Sequence, residues 1–502
     1  MQCVGSRRVA VIGAGPAGAI ATDALVKEQA FDTIRVFERK HVAGGTWVYS
    51  PELPPKIPSV RALLDGTADR PVDRPKAFPS ETAQTEAVNS HQIRYSDTGI
   101  HEHLHSNLPP HTMAFTQEPI PEIVSNRARV QYGHKAPFRH REVICKWVDG
   151  IFTQGGHQER VEYSTCVEHA EKRGTEWVLT LRKALPGTTK NFWWQEVFDA
   201  VVVATGHFSI PHLPNIPGLA EYDEAFPGRI RHSKHFRSAG EFSGKRVIIV
   251  GGSVSAFDAL HEIRRVAKHP VVASLREPLK AFGWGAFVHP HVQTKPPIIR
   301  FHPENGQIDF EDGSSADNID IVLFATGYDF SFPFLPNTIA RTKGRRIEGL
   351  YQHVFNISDP SVAFIGMVAG GLTFRVFEWQ AVAVARFLAG RAKLPSQKEM
   401  QKWEHDLAAE RGDGVLFYTI SPEFEDYFEA LRSIAGEPAP GTTGRVLPKF
   451  DPRWAEAFSE IVTLRNQWWE RERQKAEAKS ETRTIFEGNR KVAQKEPYDD
   501  GG

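Results

Sequence analysis

Cysteine is scarce in this chain of 502 residues: there are three, Cys3, Cys145 and Cys166. No two of them form a C-x-x-C pair, so a disulfide framework, a zinc site and a redox dithiol all lack a sequence basis. Such usage fits a reducing compartment. Net charge is lacking too: 61 Lys and Arg face 61 Asp and Glu. No overall field therefore favours nucleic acid or an anionic membrane. No apolar run approaches the ~20 residues that cross a bilayer. Arg7 and Arg8 before an apolar stretch mimic a secretory leader, but that stretch is punctuated by glycine and reads better as a strand and a loop. These absences point to a cytoplasmic protein without a membrane anchor. Its length allows two or three domains. The 32 Phe and 11 Trp suit aromatic-walled pockets as well as cores.

The chain carries one module twice. Residues 7–28 read as an apolar strand, a glycine turn and an Ala-rich helix, with a second strand at 33–40. Residues 245–265 repeat the pattern, and 270–278 supply the second strand. Each copy later has an apolar strand ending in Ala-Thr-Gly, at 204–206 and 325–327. Between the copies, 159–183 alternate apolar and polar residues like an antiparallel meander. Residues 51–92 are rich in Pro, Thr and acids and read as a long loop excursion. A helix is expected near 374–390. The expected class is α/β, with two Rossmann-like dinucleotide-binding domains, the smaller inserted in the larger. The boundaries are 1–220 (with the 51–92 excursion) and 331–470 for a FAD domain, 221–330 for an NADPH domain, and 471–502 for a charged tail fraying into disorder.

The turns suggest ligands. Gly13, Gly15 and Gly18, with Pro16 and Ala17 between them, fit G-x-G-x-x-G in full. The first glycine makes the tight turn, the second lets a pyrophosphate approach, and the third lets the helix press on the strand. The helix N-terminus then faces the phosphate. Glu38 lies 25 residues past Gly13, where a carboxylate can accept from ribose hydroxyls. The second turn runs Gly251, Gly252, Ser253, Val254, Ser255, Ala256. Its middle glycine is a serine and its last an alanine, both small; Ser253 and Ser255 could donate to phosphate. The same count of 25 from Gly251 reaches Arg276, a base where the first copy has an acid. A guanidinium grips a 2′-phosphate bidentately. FAD is therefore expected in the first copy and NADPH in the second. Thr205, Gly206, Thr326 and Gly327, at the Ala-Thr-Gly ends, let chain pass close to cofactor.

Beyond the turns, Phe226, Gly228, His232 and Phe236 match F-x-G-x-x-x-H-x-x-x-[YF]. With residues 324–335, Gly44-Gly45-Thr46-Trp47, 103–115 and 376–390, they make the chain resemble the flavin-containing monooxygenases, fungal type, over about 7–390. The resemblance implies an NADPH- and O₂-dependent flavin monooxygenase whose C4a-hydroperoxyflavin oxygenates a soft nucleophile, amine nitrogen or thioether or thiol sulfur. Secondary-metabolite tailoring is one setting. Asn107 becomes the catalytic candidate, beside the flavin or the nicotinamide. Gln380 approaches the flavin, Gly45, Thr46 and Trp47 stand on the flavin side, and Arg39 and Val167 join the cofactor set. His232 holds the linker between domains. The partners are a small nucleophile and O₂, with a homodimer as the oligomeric expectation.

Three alternatives stay open. Baeyer–Villiger enzymes have Trp where this chain has Phe236, yet Arg375 or Arg141 could serve a ketone reaction. A non-oxygenating NADPH flavoprotein and a silent cofactor binder would keep the turns. His101, His103, His105 and His111 could share one face of a strand, but no carboxylate or Cys completes a metal site there.

Overall fold

The computed structural model describes residues 5–51, 59–84, 98–280, 283–343 and 345–493. It divides the chain into two units: 1–213 with 234–237 and 327–458, and 214–233 with 238–326 and 459–502.

The first unit is built on a seven-stranded sheet in the order Leu350–Tyr351, Phe355–Asn356, Val362–Phe364, Ala200–Val203, Arg8–Ile12, Thr33–Phe37, Val161–Glu162. From Val362–Phe364 onward all neighbours are parallel. Parallel strands covered on both faces need apolar residues at every position, and Val9 to Val11 and Val201 to Val203 are wholly buried. Alternation sends Val9, Val11 and Val202 into one core with the helices Pro16–Glu28 and Thr373–Leu388. Ala10, Ile12, Val201 and Val203 go into another with Trp177, Leu179 and Leu181. Those belong to the expected meander, Thr165–Arg173, Glu176–Ala184 and Lys190–Phe198.

The Pro16–Glu28 helix is clamped by buried charge. Arg445 reaches Asp23 at 2.6 Å, Glu378 at 2.5 Å and Glu118 at 2.5 Å. Glu28 binds Arg386 at 3.0 Å and Arg391 at 2.7 Å. Burial alone would raise the Asp23 carboxyl, but His157, Arg445 and Lys27 together hold it well below the usual range. A buried ion set of this kind adds little net stability, yet breaking one member is costly. It fixes the helix that follows the first glycine turn.

The second unit has a five-stranded parallel sheet, Ile230–His232, Ile321–Phe324, Val247–Val250, Val271–Ser274, Val292–Lys295. The helix Val254–Ile263 follows its central strand.

Four expectations need correction. The second unit begins at Pro214 rather than 221, because Gly218 and Phe301 lie in backbone contact within it. Residues 459–470 belong to that unit, not the first: Trp469 lies edge-on to Phe257, and Arg465 binds Asp258 at 3.0 Å. The charged tail is helical to Ala493 instead of fraying at 471; 494–502 lie outside the described residues. The 51–92 excursion holds a short helix, Val60–Leu64, and a strand, Ser80–Ala83, paired with Lys190–Trp193; its stretches 52–58 and 85–92 lie outside the described residues.

Candidate cofactor sites

The two turns share one backbone design. The amide of Gly13 donates to the carbonyl of Phe37 at 2.9 Å, and that of Gly251 to Ser274 at 3.0 Å. Ala204 donates to Ile12 at 2.9 Å, and Ala325 to Val250 at 2.8 Å. Each first glycine has a left-handed φ, +107° at Gly13 and +133° at Gly251. A Cβ there would meet the carbonyl of Ala204 at 2.7 Å or of Ala325 at 2.5 Å. The Ala-Thr-Gly ends therefore back the turns, which is why alanine precedes them. Neither following helix has a side-chain cap at Gly15 or Ser253, so the N-terminal amides stay open to a phosphate.

In the first unit a cavity of about 240 Å³ opens beside the turn. Gly13, Gly15, Pro16, Ala17, Glu38, Arg39, Gly45, Thr46, Val167, Thr205 and Gly206, all named from the sequence as cofactor candidates, line it. Gly15 and Gly45 form its floor by backbone contact: a Cβ on Gly45 would sit 2.7 Å from the Cα of Gly15. Glu38 is buried; it accepts from the amides of Ala14 at 2.7 Å and Lys40 at 2.8 Å, which orients its carboxylate. Each oxygen keeps lone pairs for a ribose diol. Trp47 stands behind the wall, edge-on to cavity-lining Phe374, with its indole nitrogen buried and unpartnered. A side-chain-free floor, an uncapped helix and an oriented carboxylate fit the pyrophosphate and ribose of FAD.

Other expected residues stand elsewhere. Gly18 is behind the turn, where a Cβ would lie 1.8 Å from the Gly13 carbonyl. Gln380 does not reach the cavity: it is fully buried, accepting from the Gly366 amide at 2.9 Å and donating to the Tyr427 hydroxyl at 2.9 Å. It holds Gly366, which does line the cavity. Asn107 is exposed and off the cavity walls. The histidines near it do not share a strand face, since 100–104 forms turns and His111 begins a short helix with Pro110. His105 bonds Ser125 at 2.6 Å and the His103 carbonyl at 2.7 Å. Neither Cys145 nor Cys166 is in a disulfide among the described residues.

In the second unit the register corrects the count of 25. Ile12 pairs with Phe37 and Val250 with Ser274, so the second connection is one residue shorter. Leu275, not Arg276, stands where Glu38 stands, and Arg276 matches Arg39. The chemistry still differs between the copies: the acid after the second strand is replaced by a buried leucine, and an exposed arginine follows. Arg276 forms no ion pair with any described residue, which leaves its guanidinium free. Ser253 is exposed, with no side-chain bond to the helix it begins. Thr326 and Gly327 follow the Ile321–Phe324 strand at Ala325; Gly327 falls in the first unit, against Arg345.

Sequence reasoning missed His207, the residue after the first Ala-Thr-Gly. It lines the cavity, bonds the Gly366 backbone, and leaves Nδ1 enclosed without a partner. Burial, reinforced by the Arg345 charge, lowers its pKa to about 4. His353, buried among Trp403, Phe417, Tyr418 and Tyr427, is pushed down to about 3 by burial and then Arg411. Both are neutral in the fold, whereas an unfolded His protonates near pH ~6.5. Stability from these groups is thus complete above that pH and is lost as pH falls toward their folded values. Melting temperature should be flat above about pH 7 and drop by several degrees, on the order of 5 °C, by about pH 5. In His353→Phe, differential scanning fluorimetry should show a shallower drop; an unchanged slope would count against this assignment.

A model of the flavin-binding monooxygenase-like family matches residues 173–278 and 285–437. A flavin-containing monooxygenase of Arabidopsis thaliana, FMO GS-OX4, is 31% identical over 399 residues, covering 79% of this chain and 77% of its own. The ustF2 flavin-containing monooxygenase of Aspergillus flavus is 28% identical over 498 residues, covering 90% and 96%. Among solved structures, the S-allyl-L-cysteine S-oxygenase of Allium sativum aligns with a TM-score of 0.72 at 25% identity, covering 96% of this chain and 99% of that one. The chain belongs to the flavin-binding monooxygenase-like family. It is an oxidoreductase that uses FAD, NADPH and O₂ on a small-molecule substrate. No described helix is long and apolar enough to cross a membrane.

Proposed function

We propose that the first unit holds FAD and the second NADPH, and that the enzyme adds one oxygen atom to a soft nucleophile, with sulfur ahead of nitrogen. The doubled turn, with an acid behind one copy and Leu275-Arg276 behind the other, carries the assignment of the two nucleotides. FAD, when bound and reduced, supplies the activation of O₂; the protein binds, orients and excludes water. Gly366, Val368, Phe374 and Phe377 give part of the cavity an apolar wall suited to that exclusion. Sulfur is placed first because the Allium sativum neighbour is named as an S-oxygenase. Asn107 is the catalytic candidate, its exposed amide uncommitted among the described residues. We also assign the protein to the cytosol, on its few cysteines, and to a homodimer. The test is NADPH consumption in air with thioethers, thiols, amines and ketones, followed by product mass. Gain of one oxygen on sulfur or nitrogen is expected; oxygenation of ketones alone would overturn the reading.

A further inference from the structure

The flavin cavity wall at Gly366 is tied to a chain of buried hydrogen bonds that leads away from the cavity. The Gly366 amide donates to Gln380 Oε1 at 2.9 Å, Gln380 Nε2 donates to the Tyr427 hydroxyl at 2.9 Å, and that hydroxyl donates to the Gln352 carbonyl at 2.6 Å. All four residues are buried. Their chemistry fixes the direction of the chain. A carbonyl has no proton, so the Tyr427 hydroxyl must donate to Gln352, and its lone pairs are left for Gln380. The Gln380 amide then turns its NH₂ to Tyr427 and its oxygen to Gly366. Reversed, it would set NH₂ against the Gly366 N–H, two buried donors without an acceptor.

Both ends of the chain are anchored. Gln352 and His353, with left-handed φ of +52° and +56°, make the turn between the paired strands Leu350–Tyr351 and Phe355–Asn356. At the other end Gly366 has a φ of +93°, and a Cβ on it would meet Ala17 Cβ at 3.3 Å and Phe377 Cζ at 3.4 Å. Ala17 and Phe377 line the cavity as Gly366 does, and Ala17 lies in the first turn of the Pro16–Glu28 helix. The amides of Ile365 and Ala369 are bound to the carbonyls of Val203 and Tyr418, each at 2.9 Å. Residues 366–368 thus run between two fixed points, and the Gln380 amide sets where the first of them lies. We propose that Tyr427 is a positioning residue for the flavin: by holding the Gln380 amide in one direction, its hydroxyl holds the Gly366 wall and the adjoining helix start in the shape that receives FAD. This rests on FAD occupying the cavity of the first unit.

The test uses full-length Tyr427→Phe, Gln380→Met and the double variant, with FAD alone as the probe, titrated into apoprotein and read by quenching of flavin fluorescence. Tyr427→Phe keeps the ring and removes the hydroxyl, and should raise the FAD dissociation constant about tenfold. Gln380→Met should raise it at least as much, and the double variant should match Gln380→Met within about twofold, because Tyr427 acts only through that amide. Tyr418→Phe is the control for stability: its buried hydroxyl, in the same unit, accepts from the Ile347 amide at 2.5 Å and has no part in the chain. It should lower the melting temperature of the apoprotein, as Tyr427→Phe does, and leave FAD affinity at the wild-type value. An unchanged FAD affinity in Tyr427→Phe, additive losses in the double variant, or an equal loss in Tyr418→Phe would each overturn the proposal. Should Tyr427→Phe fail to fold, Gln380→Met decides, since unchanged affinity there removes the link through which Tyr427 acts. Wild-type protein that binds no FAD would instead refute the flavin assignment, a result distinct from any of these.

Discussion

Gly18→Ala is expected to give a folded but nearly colourless protein, with FAD affinity lowered by about 100-fold or more. The alanine methyl would lie 1.8 Å from the carbonyl oxygen of Gly13, which is backbone and cannot rotate away. Either the helix or the turn must retreat. The helix is held at its middle and far end by Asp23 on Arg445 and by Glu28 on Arg386 and Arg391. The turn is therefore the part that moves, and it carries the amides and the Gly15–Gly45 floor that are proposed to hold the pyrophosphate. A shift near 1 Å is enough to misplace such groups. Flavin absorbance per protein and fluorescence titration of apoprotein measure the loss, and circular dichroism checks the fold. Gly174→Ala is the control: that glycine, in the turn between Thr165–Arg173 and Glu176–Ala184 and off the cavity walls, has a left-handed φ of +63° and open space around it, so its cost is backbone strain alone. Wild-type FAD binding in Gly18→Ala would mean that this turn does not hold the flavin phosphates.

What could be read from the amino acids was whatever short-range physics dictates. A buried parallel strand needs an unbroken apolar run, a phosphate turn needs glycines at fixed offsets, and a meander alternates; each can be seen in a dozen residues. The Ala-Thr-Gly ends were visible as a repeat, although their role, to pass a carbonyl against Gly13 and Gly251, appears only when the strands are side by side. Long-range partners were not legible. Gln380 sits on the helix that the resemblance places by the flavin, but its amide is taken up by Gly366 and Tyr427, the one 14 and the other 47 positions away. Asp69 lies in a stretch with no motif, yet it accepts from Ser331, 262 positions on. The tail read as solvated charge because its acids and arginines dominate, while Trp468 and Trp469, which anchor it, look like two aromatic residues among many. The count from Gly251 to Arg276 failed for a simpler reason. Counting assumes equal connections, and register between strands, set by hydrogen bonds, showed one residue fewer in the second copy.

That one-residue shift sharpens the expectation for the second site. Arg276→Ala should lower kcat/KM for NADPH by about 30- to 100-fold and change the value for NADH by no more than about twofold. NADH lacks the 2′-phosphate, so only NADPH loses a charge-assisted, bidentate partner. The arginine is exposed and uncommitted among the described residues, so its removal leaves no buried carboxylate behind and the fold should stay intact. Leu275 makes the complementary case. It occupies the position of Glu38, and Leu275→Glu would place a carboxylate where the 2′-phosphate must come, which repels NADPH and offers NADH a ribose acceptor. The two substitutions together should invert the preference. Ser253→Gly should leave it untouched, because in the proposed site the open amides of the Val254–Ile263 helix, rather than the hydroxyl, would take the pyrophosphate that both nucleotides share. Stopped-flow flavin reduction with each nucleotide measures all four proteins. An NADPH preference that survives Arg276→Ala would show that some other cation reads the 2′-phosphate.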